Sequence, residues 1–210
     1  MPSKKGVARA ADPRQTGPVT LHRGDGLIVV DVQNDFLPGG SLAVAGGDEV
    51  VPPLNAYLAA FARARLPIFA TRDWHPPNHR SFRARGGPWP PHCVAGSEGA
   101  RFAPGLALPP STVVVSKDTL PEQDTYSGFQ GGDLDARLRE AGVRRVFVGG
   151  LATDYCVFHT VKDALARGYA AVLLGDAIRA VNVRPDDGRQ AEAEMVRLGA
   201  VPIRRDLLAA

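Results

Sequence analysis

The sequence predicts an α/β fold, a mostly parallel six-stranded sheet with helices on both faces, and three observations carry that prediction. Short β-branched runs alternate with helical stretches along the chain. The first run, Leu27 to Asp31, is apolar without alternation, as a parallel strand buried on both faces should be. The chain has 210 residues, 44% hydrophobic and 22% charged, which suits one globular domain with a sizeable core.

The elements follow in order. LIVVD is the first strand, and the loop after it, VQNDFLPGGSLAV, carries Phe36 and the Pro-Gly-Gly punctuation of irregular backbone. From Asp48 to Arg65, Val51, Leu54, Leu58 and Phe61 recur at helical spacing, with Asp48 in the capping position. Pro67 ends that helix, and IFATRD, residues 68–73, is the second strand. Residues 74–111 have no periodicity and are crowded with Pro, Gly and His; a loop of this length in a compact domain is usually functional. TVVVSKD, residues 112–118, is the third strand, and a helix over 133–141 leads through Gly142 to the fourth, RRVFVGG. A helix from Asp154 to Arg167 stops at Gly168. The strand AAVLLGD, a helix over 187–198 and the short strand AVPIR complete the pattern. No internal repeat is visible, and no Gly-rich phosphate loop follows the first strand.

The formal charge is +3, yet Lys4, Lys5, Arg9, Arg14 and Arg23 against Asp12 and Asp25 carry all of it before Gly26. The rest of the chain is formally neutral, which removes the electrostatic case for nucleic acid on the folded body. Residues 1–26 read as a disordered basic tail and 27–210 as a single domain. No apolar stretch is long enough for a membrane span and no secretory signal is visible, so a cytoplasmic location without membrane contact is expected. Two cysteines do not make a disulfide framework, although one bridge between Cys93 and Cys156 stays open.

Candidate chemistry gathers at strand ends. Asp31, Asp73, Lys117 and Cys156 all fall at or just past the C-terminal ends of parallel strands, the edge at which open α/β sheets bind ligands. Singly, Asp31 reads as a loop acceptor, Lys117 as a surface charge and Cys156 as a small buried hydrophobe. Together they make an activated nucleophile. The cysteine sits at a helix start, where unpaired amides and the dipole favour thiolate; Lys117 would lower the thiol pKa, and Asp31 would take its proton and return it to a leaving group. A second group, Asp73, His75, His79 and His92, offers metal ligands within twenty residues. Asp-x-His on extended chain points both side chains one way, and the mixed set suits zinc, iron or manganese. Cys93, in a Pro-rich loop with no helix start behind it, is the weaker nucleophile or a soft ligand.

VDVQNDF with PGGSLAV, TRDWHPPNH with WPPHCVAG, SKD followed by YSGF, and GGLATDYCV, in that order from Leu27 onward, resemble the nicotinamidase/pyrazinamidase branch of the isochorismatase-like cysteine hydrolases. The resemblance implies that Cys156 attacks a carboxamide, Asp31 serves as base and acid, Lys117 completes the triad, and a thioester is formed and hydrolysed. It implies an oxyanion hole from the Ala152 and Cys156 amides and a cis peptide between Leu151 and Ala152. It also implies a divalent metal, zinc before iron or manganese, held by Asp73, His75 and His92 to receive the substrate's pyridine nitrogen. Phe36, Trp89 and Tyr126 match aromatic positions around the substrate. His79 lies closer to His75 than the extra histidine of some members does, so its role stays open between ligand, partner of a ligand and loop anchor. The implied activity is conversion of nicotinamide to nicotinate and ammonia in NAD salvage, with pyrazinamide as a surrogate. The partner is then a small-molecule amide, with homo-oligomerisation left open. A ureido or carbamoyl amide is the enzyme alternative, and a catalytically silent binding protein on the same fold is the non-enzyme one.

Overall fold

The computed structural model describes residues 17–209. Six strands form one sheet: β1 (Asp25–Val30), β2 (Ile68–Asp73), β3 (Val113–Lys117), β4 (Arg145–Leu151), β5 (Ala170–Arg179) and β6 (Val201–Ile203). Their order is β3-β2-β1-β4-β5-β6, and every neighbouring pair is parallel, so the expected sheet is parallel throughout. The helices are α1 (Val51–Arg63), α2 (Gly128–Gly131), α3 (Leu134–Glu140), α4 (Phe158–Ala166) and α5 (Asp187–Arg197).

Side chains alternate across a strand, and here each face is buried by different helices. Leu27 and Val29 of β1 and Phe147 of β4 join Leu54, Leu58 and Phe61 of α1 in one apolar cluster. Ile28, Val30, Val146 and Val148 point the other way and join Leu134, Leu138, Val161 and Met195 from α3, α4 and α5. That double burial is why Leu27 to Val30 read as an unbroken apolar run. Among the described residues, no helix is long and apolar enough to cross a membrane.

Three expectations move. The tail does not extend to residue 26: Val19 is buried and bridges to Leu208, Asp25 opens β1, and the Arg145 guanidinium donates to both Asp25 oxygens. Residues 1–16 of the expected tail lie outside the described residues. Asp48 does not cap α1, since Gly47–Val50 form a 3-10 turn and the helix begins at Val51. Pro52 and Pro53 have no N–H and fit only a first turn, which rules out a helix begun three residues earlier. Finally, the helix expected from Asp154 begins as a π turn, Thr153–Val157, in which Val157 N–H donates to the Ala152 carbonyl five residues back.

Strand order reverses between β1 and β4, whose outward connections diverge to opposite sides and leave a crevice at their C-terminal ends. Gly150 closes the approach there. Its φ is +129, and a Cβ would sit 2.1 Å from the Val30 carbonyl oxygen, so no other residue lets the end of β4 lie this close to β1.

Candidate active site

Each strand end delivers one group to this crevice. β1 stops at Val30, and the chain turns through Asp31 at φ +48, a left-handed conformation that aspartate tolerates better than most residues. Thr71 of β2 pairs with Val30 and donates its hydroxyl to Asp31 Oδ1 at 2.7 Å. β2 ends at Asp73 and β3 at Lys117, and the register places these two side by side. β4 ends at Leu151, a cis peptide joins it to Ala152 as expected, and Cys156 follows in the π turn.

Asp31, Lys117 and Cys156 meet in the interior. Lys117 Nζ lies 3.2 Å from Asp31 Oδ2, 3.7 Å from Cys156 Sγ and in contact with Asp73 Oδ1. All four side chains are buried. Burial disfavours the ammonium, but Asp31 and Asp73 hold Lys117 well above its ordinary pKa, so it stays charged. Asp73 likewise stays ionised: burial opposes its charge, yet Lys117 holds it well below the carboxylate range.

The expected thiolate does not follow. Burial pushes the Cys156 thiol well up, the Asp31 and Asp73 carboxylates push the same way, and the pull of Lys117 does not offset them. The resting group is a thiol, which therefore needs a base beside it. Burial also raises Asp31 despite Lys117, making that carboxylate a better proton acceptor than an exposed aspartate. Cys93 is buried, its thiol is pushed well up by burial, and no disulfide joins it to Cys156. Its N–H donates to Asp35 Oδ2, which makes it a loop anchor.

Beside this triad, Asp73, His75 and His92 offer ligand atoms within 4.8 Å of one another. The long loop brings them together by a short parallel bridge: His75 N–H donates to the Cys93 carbonyl, and Ala95 N–H to the His75 carbonyl. His92 donates from Nδ1 to the Pro90 carbonyl, which leaves Nε2 as the free lone pair. Both ring nitrogens of His75 are buried with no hydrogen-bond partner. Asp118, pushed up to about 6 chiefly by burial, is a third carboxylate near Lys117, at 3.9 Å. Three buried carboxylates around one ammonium, next to an unpartnered imidazole, suit a divalent cation in both charge and donor type.

Cys156 of the triad and two of the trio open on one pocket. Phe36, Trp89, Tyr126, Ala152 and Cys156 line it together with Asp73 and His92, so every expected aromatic contact faces the nucleophile. Tyr155, not anticipated, lines it too and packs edge-on against Trp89. Sequence reading also missed Thr71 and Gln33. Gln33 accepts the Asp73 N–H through Oε1 and donates through Nε2 to the carbonyls of Asp73 and Ala100. Its only signal was a polar side chain directly after a buried strand.

Comparison with known proteins places these features in context. The family model for the isochorismatase domain matches residues 25–206. Nicotinamidase of Escherichia coli is 39% identical over 83% of this chain and 92% of its own. Pyrazinamidase of Pyrococcus horikoshii, solved in complex with zinc, superposes with a TM-score of 0.83 at 47% identity, covering 86% of this chain and 99% of that one. PnC1 from L. infantum, solved in complex with nicotinate, gives 0.82 at 39% identity, over 92% of this chain and 99% of that one.

Proposed function

The chain belongs to the isochorismatase family, and from that premise we propose that it is a nicotinamidase, a cysteine amidohydrolase that converts nicotinamide to nicotinate and ammonia and accepts pyrazinamide. One observation carries this reading: Cys156, which meets Asp31 and Lys117 behind it, and Asp73 and His92, which meet His75, line the same aromatic-walled pocket. A pyridine carboxamide has two polar ends separated by a flat ring, and the pocket offers a nucleophile for one and ligand-type groups for the other.

Asp31 takes the proton from the Cys156 thiol as sulfur attacks the carboxamide carbon, and Lys117 keeps the ion pair it joins from carrying excess negative charge. The Ala152 and Cys156 amides form the oxyanion hole for the tetrahedral intermediate. Collapse breaks the C–N bond, Asp31 hands its proton to the leaving ammonia, and a thioester remains. Asp31 then deprotonates a water that attacks the thioester; nicotinate leaves and the thiol recovers its proton. Asp73, His75 and His92 would hold a divalent cation, zinc before iron or manganese, which when bound would supply Lewis-acid chemistry toward the ring nitrogen. Phe36, Trp89 and Tyr126 sandwich the ring and exclude water. The chain from residue 27 to 210 works as one domain, in the cytoplasm, on a pathway that returns nicotinamide to NAD.

The direct test is ammonia release across a panel of nicotinamide, pyrazinamide, ureido and carbamoyl compounds, with and without added metal. Preference for the pyridine and pyrazine carboxamides supports the reading; preference for a ureido or carbamoyl amide overturns it.

A further inference from the structure

We propose that His79 is a positioning residue that sets the ring of His75 while tying the 119–126 segment to the metal loop, and that it is not itself a ligand. The inference rests on Asp73, His75 and His92 being the metal-holding groups.

The lone-pair arithmetic of the His79 ring comes first. Nε2 contacts the Gln123 carbonyl, which only accepts, so Nε2 carries the proton. Nδ1 then holds the ring's one available lone pair, and Ser81 claims it twice, through its hydroxyl at 2.7 Å and its N–H at 3.3 Å. The side chain is fully buried. No lone pair is left for a metal, although His79 lies four residues from His75 and against it.

What His79 offers His75 is its face. The two rings lie 4.2 Å apart, centroid to centroid, at 32°. Metal-binding imidazoles are ordinarily fixed by a hydrogen bond from the second ring nitrogen, as His92 is by Pro90. His75 has no such bond at either nitrogen. With only Asp73 Oδ2 near Nε2, at 3.6 Å, its orientation rests on packing among the His79 face, the His92 ring at 4.8 Å and the Phe82 edge at 5.5 Å.

The other half of the role lies across the loop. Arg80 N–H donates to the Pro121 carbonyl, and Arg85 pairs with Glu122, so several contacts join the metal loop to 119–126. Of these, His79 to Gln123 starts from a buried side chain, and it lies just before Thr125 and Tyr126, which line the site.

Two variants separate the halves. His79→Gln removes the stacking face and keeps a donor for the Gln123 carbonyl; His79→Phe keeps a flat ring and removes the donor. Zinc alone is titrated into metal-stripped protein by calorimetry, and amide hydrogen exchange is followed over 119–126. Expected is one site in both variants, with affinity lowered about tenfold in His79→Gln and within about threefold of wild type in His79→Phe. Exchange over 119–126 should quicken in His79→Phe and stay near wild type in His79→Gln. Wild-type zinc affinity in His79→Gln overturns the positioning role. A loss in both variants as large as that of His75→Ala makes His79 a ligand and overturns the proposal as well. No substrate is present, so failure of the nicotinamidase reading leaves this test standing.

Discussion

The two halves of the site differ in how far the chain completes them. Around Cys156, the protein supplies every partner: Thr71 holds Asp31, Asp31 and Asp73 flank Lys117, and Lys117 reaches the thiol. Around His75, it does not. The two buried ring nitrogens of His75 make no hydrogen bond, Nε2 lying 3.6 Å from Asp73 Oδ2, and three carboxylates surround the one ammonium. A buried polar group without a partner is costly, so the trio is a half-built structure that a cation would complete. The first half is set up for bond-making and the second for holding something, and Lys117 joins them because β2 and β3 pair Asp73 with it.

That contrast can be broken experimentally. The largest effect is expected from Cys156→Ala, which should cut ammonia release by roughly 10⁴-fold or more while nicotinamide binding, measured calorimetrically, persists; turnover within tenfold of wild type removes Cys156 as nucleophile. Asp31→Asn keeps the shape but not the base, and kcat should fall roughly 10²- to 10⁴-fold, with an unchanged kcat refuting its role. In the other half the loss should appear in binding. Dialysis against a chelator should raise KM for nicotinamide far more than it lowers kcat, and metal-stripped protein that binds nicotinamide normally would separate the trio from the substrate. Gln33→Ala should weaken metal retention by about tenfold, because it frees the backbone of Asp73; competition with a coloured chelator reads this directly. Smallest is Tyr57→Phe, far from both halves, where loss of the hydroxyl donated to Asp176 should cost about 1 kcal/mol in urea unfolding and leave kcat and KM unchanged.

Much of this was legible before folding was considered. Leu27 to Val30 announced a strand buried on both sides, and a carboxylate or lysine after each apolar run marked the active rim. Asp73-x-His75 was legible because extended chain repeats every two residues. Other features had no local signature. The π turn at Thr153–Val157 and the helical pattern expected from Asp154 share one apolar spacing, so periodicity does not separate them. Gln33 and Thr71 act through residues 40 positions away, on the neighbouring strand.

Sequence alone therefore determined the fold class and the strand ends, because these follow from short-range periodicity; residue chemistry pointed to Asp31, Lys117 and Cys156, and the choice of Asp73, His75 and His92 rested on the family resemblance. Only the tertiary structure decided the protonation of the site. Cys156 meets an electrostatically favourable lysine, yet the same close packing that brings Lys117 to 3.7 Å also strips water from the sulfur and sets two carboxylates beside it. Desolvation acts on all buried charge, and at Cys156 it outweighs the one favourable neighbour, whereas at Asp73 it does not. On the proposed mechanism, that packed interior leaves Asp31 to activate Cys156.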